Sequence, residues 1–272
     1  MLKFQKHGIV TVFRMGRHIA GNEKWVLYMT HAYLIDDTLI DTGTISVNQE
    51  WKQVMNEFCF RQVVNTHHHE DHIGNNRLFQ EDCGATVYAH REALPFIHEP
   101  HKIDLQFYRK IVWQRPLPAM AKPVGEVVDT GKRILKVIPT PGHSPDHICL
   151  YEPIQGFLFS GDIFCGQRLV YMRADEDFAL TLCSLKCLAN LEVKTVFCGL
   201  KGAIDNGAEV IRNKIRNMES LREQVHALRK QKLSPTAIRQ KILGPEDKMS
   251  LITRGHFSKQ NVIDSILESL GS

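Results

Sequence analysis

The segment His67-His68-His69-Glu70-Asp71-His72 gathers imidazoles and carboxylates within six residues. A β-rich run ends at Thr66. In extended chain His67 and His69, two residues apart, point to the same side. Asp71 and His72 follow at the turn into a helix and can be aimed at a second point close to the first. Neutral imidazoles with a carboxylate suit zinc, iron or manganese. A metal site also needs ligands from elsewhere in the chain. His143 stands in Thr140-Pro141-Gly142-His143-Ser144, after a run ending at Ile138, and Asp162 stands in Ser160-Gly161-Asp162, after Phe157-Leu158-Phe159. A divalent cation held by such a set lowers the pKa of a bound water from about 15.7 to about 7 and polarises a carbonyl. That chemistry is hydrolysis, with Asp71 the candidate to hold the nucleophile's proton and pass it to the leaving group.

The elements around these residues must deliver them to one place. Val10–Phe13, Trp25–Met29, Ala32–Ile35 and Thr38–Ile40 read as short strands, and Val63-Val64 as a buried strand running into the histidines. Trp51, Val54, Met55 and Phe58 form the i, i+3, i+4, i+7 stripe of a helix on a core. A helix beginning at Gly74 and a strand over Ala85–Ala89 continue an alternation expected of an α/β protein. Residues 91–125, with five prolines among Phe96, Phe107, Tyr108 and Trp113, read as a lid-like insertion or as a wall packed on a neighbour. Strands resume at Arg133–Ile138, Ile148–Tyr151 and Phe157–Phe159, a helix covers Phe178–Leu188, and Thr195–Cys198 reads as the last strand. Beyond Gly207 the chain reads as helical. Ser234-Pro235 is a cap and first turn, Gly244 a stop, and Ser258 caps a final helix with Val262, Ile263, Ile266, Leu267 and Leu270 on one face. The expected division is a catalytic domain over residues 1–207 and a helical extension over 208–272.

Composition narrows the function classes. With 43% hydrophobic and 24% charged residues, the 272-residue chain reads as an ordinary globular protein with a full core. A formal charge of +4, evenly spread, argues against nucleic acid as a partner. No run approaches a membrane span and nothing at the N-terminus reads as a signal peptide, so the expected address is the cytoplasm. Seven cysteines without a CxxC pair read as reduced, mostly buried thiols. The expected partner is a small-molecule substrate, and the helical tail offers a surface for a homodimer.

Taken in order, Asp41 in Leu39-Ile40-Asp41-Thr42-Gly43, the His67–His72 motif, His143 in Gly142-His143-Ser144 and Asp162 in Ser160-Gly161-Asp162 resemble the metallo-β-lactamase superfamily. The nearest likeness is to its glyoxalase II-like and lactonase-like hydrolases, and it covers about residues 8–210. The resemblance implies an αββα sandwich with metals at one edge. It implies that His67, His69 and His143 bind a first metal, Asp71 and His72 a second, and Asp162 both, with Asp41 accepting a hydrogen bond from a ligand imidazole. His68 would point away, and His147 would sit in the core or behind a ligand. One departure stands out. Where such proteins carry a further histidine, this chain reads Cys198-Gly199-Leu200-Lys201, and leucine cannot coordinate. His256 is the candidate substitute. The tyrosine that lactonase-like relatives use after the bridging aspartate is also missing from Ile163-Phe164-Cys165, leaving Tyr171 to supply it.

These readings converge on a hydrolase of thioesters, esters or lactones using one or two zinc ions, with iron or manganese as other occupants. Two alternatives stay open: a mononuclear iron enzyme resembling persulfide dioxygenases, and a degenerate binding module of the same fold.

Overall fold

The computed structural model describes the backbone of residues 1–19 and 22–271 and the side chains of 1–16 and 28–269. The first sheet has seven strands in the order β1 (Leu2–His7), β2 (Val10–Ile19), β3 (Asn22–Ile35), β4 (Thr38–Ile40), β5 (Gln62–Val64), β6 (Thr86–Ala89) and β7 (Ala121–Pro123). Pairing is antiparallel from β1 to β4 and parallel from β4 to β7. The second sheet is formed by β8 (Val127–Asp129), β9 (Ile134–Pro139), β10 (Ile148–Glu152), β11 (Phe157–Gly161), β13 (Thr195–Cys198) and β14 (Gly202–Asp205). Its one parallel pair joins β11 to β13. A small ribbon pairs β12 (Met172–Arg173) with β15 (Phe257–Ser258).

Period-two alternation explains why the sheets stack. Val10 and Val12 of β2, Tyr33 and Ile35 of β3, and Val64 of β5 meet Leu150, Phe159 and Phe197 of the second sheet in one buried cluster. Their neighbours turn outward: Phe13, Met15, Leu34 and Val63 pack under helices on the other face. Those helices are α1 (Asn48–Val54), α2 (Glu70–Ile73) and α3 (Asn76–Cys83), with Trp51 and Phe79 fully buried. On the second sheet Cys149, Leu158, Val196 and Cys198 face α6 (Phe178–Leu188), α7 (Gly207–Lys230), α8 (Pro235–Ile242) and α10 (Lys259–Gly271). The layers are therefore helix, sheet, sheet, helix, the expected αββα sandwich.

Residues 91–125 form α4 (Leu94–His98), α5 (Phe107–Val112) and β7, the last adding a strand to the first sheet. The C-terminal helices share one core with the second sheet through Ile211, Met218, Val225, Ile238, Val262, Ile263 and Ile266. Ser234 caps α8 by accepting from Ala237 N, Gly244 takes a φ of +77° past its end, and Ser258 Oγ accepts from Asn261 N at the start of α10.

Several expectations need correcting. The two strands read at Trp25–Met29 and Ala32–Ile35 are one, because the polar pair Thr30 and His31 is buried rather than exposed. Their partner is the backbone of Gly199, whose carbonyl accepts from His31 N at 2.8 Å and lies 3.1 Å from His31 Nδ1. Thr195–Cys198 is not the last strand, since β14 and β15 follow, and α9 (Lys248–Ile252) leads into β15. The cysteines are free, but only Cys149 and Cys198 are buried, while Cys59, Cys183 and Cys187 are exposed.

Candidate metal centre

Each site residue sits where a strand stops and its backbone can turn. Beyond β5, Thr66 carries the chain into His67–His69, and α2 then begins at Glu70. His143 lies between β9 and β10, and Asp162 follows β11. Tight turns bring these loops together. Gly142 has a φ of +136°, and a Cβ on it would stand 2.4 Å from Thr181 N. A Cβ on Gly199, after β13, would stand 2.1 Å from Asp162 Oδ1, so only glycine lets the backbone pass behind that carboxylate.

Two overlapping groups result. One ligand atom from each of His67, His69 and His143 lies within 4.8 Å of the others, and the same holds for His67, His72 and Asp162. His69 Nδ1 is 3.0 Å from His143 Nε2. Asp162 spans the groups, with Oδ1 3.6 Å from His72 Nε2 and Oδ2 3.7 Å from His143 Nε2. Asp71 stands at the edge of the second group, its Oδ2 3.7 Å from His72 Nε2.

The partners behind these rings decide which nitrogen faces inward. Asp41, held at φ +61°, accepts from Thr66 N, Thr66 Oγ1 and His72 Nδ1, each at 2.8 Å. Because the Thr66 hydroxyl donates to Asp41, its contact of 3.0 Å with His67 Nδ1 makes that nitrogen the donor. His143 Nδ1 faces Glu176 Oε1 at 2.8 Å. In each case Nδ1 is anchored and Nε2 is left with its lone pair toward the centre. His147 works through the backbone: its Nδ1 meets Thr140 Oγ1 at 2.8 Å and its Nε2 accepts from Asp162 N at 3.1 Å. His68 turns away, bound to Asp146 through Nδ1 at 2.8 Å and stacked on Phe96.

The electrostatics match a cation-shaped gap. Burial, and then neighbouring rings, push His67 well below its ordinary pKa; burial and Arg173 do the same to His69. Burial would also lower His72, but Asp41, Asp162 and Asp71 outweigh it and raise it. Burial would raise Asp162, yet His72, His143 and Arg173 hold it well down. Burial raises Asp71, with Glu70 and Asp162 adding to it against His72. His67 Nε2, His72 Nε2, Asp162 Oδ1 and Asp71 Oδ1 are buried without any hydrogen-bond partner. Four orphaned lone-pair atoms, three from the 67–72 segment and one from the loop after β11, would be costly unless a cation satisfied them, so the residues present fit a metal.

Some functional neighbours left no sequence signal. Tyr28, on β3, donates to Asp71 Oδ2 and packs edge-on against Trp113. Arg109, from α5, holds Glu70 in a buried pair at 2.8 and 2.5 Å. Arg173 Nη1 lies 3.0 Å from both ring nitrogens of His69, with its guanidinium over Trp113. Other candidates do not join either ligand group. His256 meets Tyr108 and Asp175, and Tyr171, which lines the cavity beside Asp162, donates to Asp247 and stacks on Phe257. Leu200 belongs to the apolar cluster under the C-terminal helices.

Comparison with known families matches residues 25–200 to the metallo-beta-lactamase superfamily. The chain belongs to that superfamily. Within it, a hydroxyacylglutathione hydrolase of Maricaulis maris is 36% identical over 101 residues, covering 37% of this chain and 32% of that protein. Another of that name, from Idiomarina loihiensis, is 28% identical over 199 residues, covering 71% of this chain and 68% of that one. The matched stretch is about a third of the length of the first curated relatives, from 32% to 35%. Among solved structures, a beta-lactamase domain protein from Burkholderia ambifaria superposes with a TM-score of 0.72 at 17% identity, over 98% of this chain and 89% of that one. A metallo-beta-lactamase family protein from Thermus thermophilus superposes with 0.66 at 20% identity, over 96% and 94%. Both show the fold, and both cover the C-terminal helices as well as the sandwich.

Proposed function

We propose that this protein is a metal-dependent hydrolase acting on a thioester, ester or lactone carbonyl. The observation that carries the reading is the set of orphaned inward-facing atoms on His67, His72, Asp71 and Asp162, beside a cavity of about 530 Å³ that Asp71, His143 and Asp162 line. His67, His69 and His143 would hold one divalent cation, His72 and Asp71 a second, and Asp162 would touch both. Zinc suits this donor set, and iron or manganese are the other candidates. The cation supplies Lewis acidity and brings the pKa of a coordinated water from about 15.7 to about 7.

The chain's own residues do the rest. Asp41, Thr66 and Glu176 fix the tautomers of His72, His67 and His143, so no ring has to turn before ligation. Tyr28 holds one oxygen of Asp71; where the first cation alone is bound, Oδ1 is left without a partner to take the nucleophile's proton and return it to the leaving group. Tyr28 and Tyr171 both line the cavity, and their phenols are the candidates to orient a carbonyl where Ile163-Phe164-Cys165 offers no tyrosine. Arg173 lies against His69 with its guanidinium over Trp113, and both side chains line the cavity.

Reconstitution tests the reading. Metal-stripped protein is reloaded separately with zinc and with ferrous iron. It is then assayed on S-lactoylglutathione, butanoyl thioesters and a γ-lactone, with oxygen uptake on a persulfide run in parallel. Zinc-dependent turnover of any carbonyl substrate supports it. Oxygen uptake by the iron form alone would assign the single-iron oxygenase instead, a reading favoured by Leu200 standing where a further second-site ligand is expected.

A further inference from the structure

The cavity beside the cluster has a character that the metal ligands do not explain. Met172, Leu169, Phe178 and Leu200 form its inner wall, and Met249 and Ile252 of α9 form its outer one. Met249 is 46% and Ile252 65% exposed, so these two side chains face the cavity and the solvent at once and mark its mouth. The C-terminal helices, idle in the reaction itself, thereby supply the far side of the substrate site.

The wall is poor in charge that a ligand could use. Its Lys and Arg side chains among the described residues are Arg173 and Lys214. Arg173 is taken up by His69 and Trp113, in the field of Glu70, Asp71 and Glu176. Lys214 donates to Gly166 O at 3.0 Å and lies over the Phe164 ring, tying α7 to the loop after Asp162. Neither is left to receive the two carboxylates of glutathione. A volume of about 530 Å³ is in the range of small-molecule sites, and an apolar lining rewards apolar area.

Resting on the hydrolase reading above, we propose that this cavity binds a straight apolar acyl chain of medium length. Its carbonyl would lie at the His/Asp cluster and its tail would run between Leu169, Met172 and α9 toward the mouth at Ile252. Selectivity then resides in the acyl group, since the wall offers the leaving group no uncommitted cation.

A chain-length series tests this on the zinc-loaded 272-residue chain. Acetyl, butanoyl, hexanoyl and octanoyl thioesters of one small thiol are compared with S-lactoylglutathione, and octanamide, which has no labile ester, is titrated calorimetrically. Each buried methylene contributes roughly a fourfold gain, so the four added from butanoyl to octanoyl should raise kcat/KM about 250-fold. Ile252→Asp, at an exposed position that tolerates charge, should cut the octanoyl-to-acetyl ratio about tenfold and weaken octanamide. A flat series with S-lactoylglutathione preferred overturns the acyl-chain assignment and leaves the hydrolase reading intact. Octanamide binding without turnover of any carbonyl substrate overturns the hydrolase reading and leaves the pocket. Failure of both binding and turnover overturns both.

Discussion

Substitution of Asp41 by asparagine isolates the role of a single carboxylate. Asp41 is buried and accepts three bonds of 2.8 Å, from Thr66 N, Thr66 Oγ1 and His72 Nδ1. Its φ of +61° is one that asparagine adopts as readily, so backbone and shape survive. The Thr66 amide can only donate, which fixes the new amide oxygen at that position and turns the new NH2 toward His72 Nδ1. His72 must then accept through Nδ1 and carry its proton on Nε2, the atom that faces Asp162. A partner behind a ligating imidazole is worth about 10–100-fold in metal affinity, or about 1.4–2.7 kcal/mol. Competition against a chromophoric chelator reads the two affinities separately. The new NH2 also meets Thr66 Oγ1, so the hydroxyl loses the carboxylate it donates to and with it the contact that fixes His67. The expectation is weakening at both sites, greatest at the second. A folded Asp41→Asn variant with parental affinity at both sites would refute the tautomer reasoning.

The other predictions concern the gap, the insertion and pH. Leu200→His should convert a protein holding one metal against mild chelation into one holding two, as counted by elemental analysis after dialysis; no change in stoichiometry would show that residue 200 does not reach the site. Arg109→Met leaves Glu70 charged and buried without its partner, which should cost about 3–5 kcal/mol, measured as a fall in urea midpoint. For the metal-stripped protein, burial holds His67, His69 and His147 below the usual 6.5, His147 at about 3. The unfolded chain takes up those protons first, so their contribution is complete above about pH 6.5 and falls as pH drops below it, by about 1.4 kcal/mol per unit for each ring until that ring's own lowered value is reached. His72, raised by its carboxylates, acts in the opposite sense and is stabilising until pH climbs past its raised value. Three rings against one predict acid lability in denaturant titrations between pH 7 and 5, and stability that rises over that acid step would contradict the sign.

Most of the centre was legible because its residues are local to strand ends. The HxHxDH run, His143 and Asp162 each follow a β-rich stretch, and strand ends are where backbone can turn side chains toward a common point. Elements whose pattern is decided within themselves were also legible: α6 and β13 occupy the residues the sequence indicates. What stayed hidden depends on partners far along the chain. Tyr28 reaches Asp71 only because β3 runs unbroken past the Gly199 turn, and the polar pair Thr30-His31 that breaks its pattern is satisfied across 168 or more residues. The Glu70–Arg109 pair joins the motif helix to the proline-rich insertion, and a charge pair of that span has no local signature. His256 looked available for the same reason: nothing nearby in sequence announces that Tyr108 and Asp175 engage it.

Metal content of the protein as purified, by elemental analysis alongside a His67→Ala variant, tests the central claim most directly. His67 belongs to both groups, so the parent should carry at least one transition metal ion per chain and the variant should lose it while keeping its fold by circular dichroism. A parent that takes up no zinc, iron or manganese even on reconstitution, or a His67→Ala variant that retains full metal content, would contradict the assignment of this cluster as a metal centre.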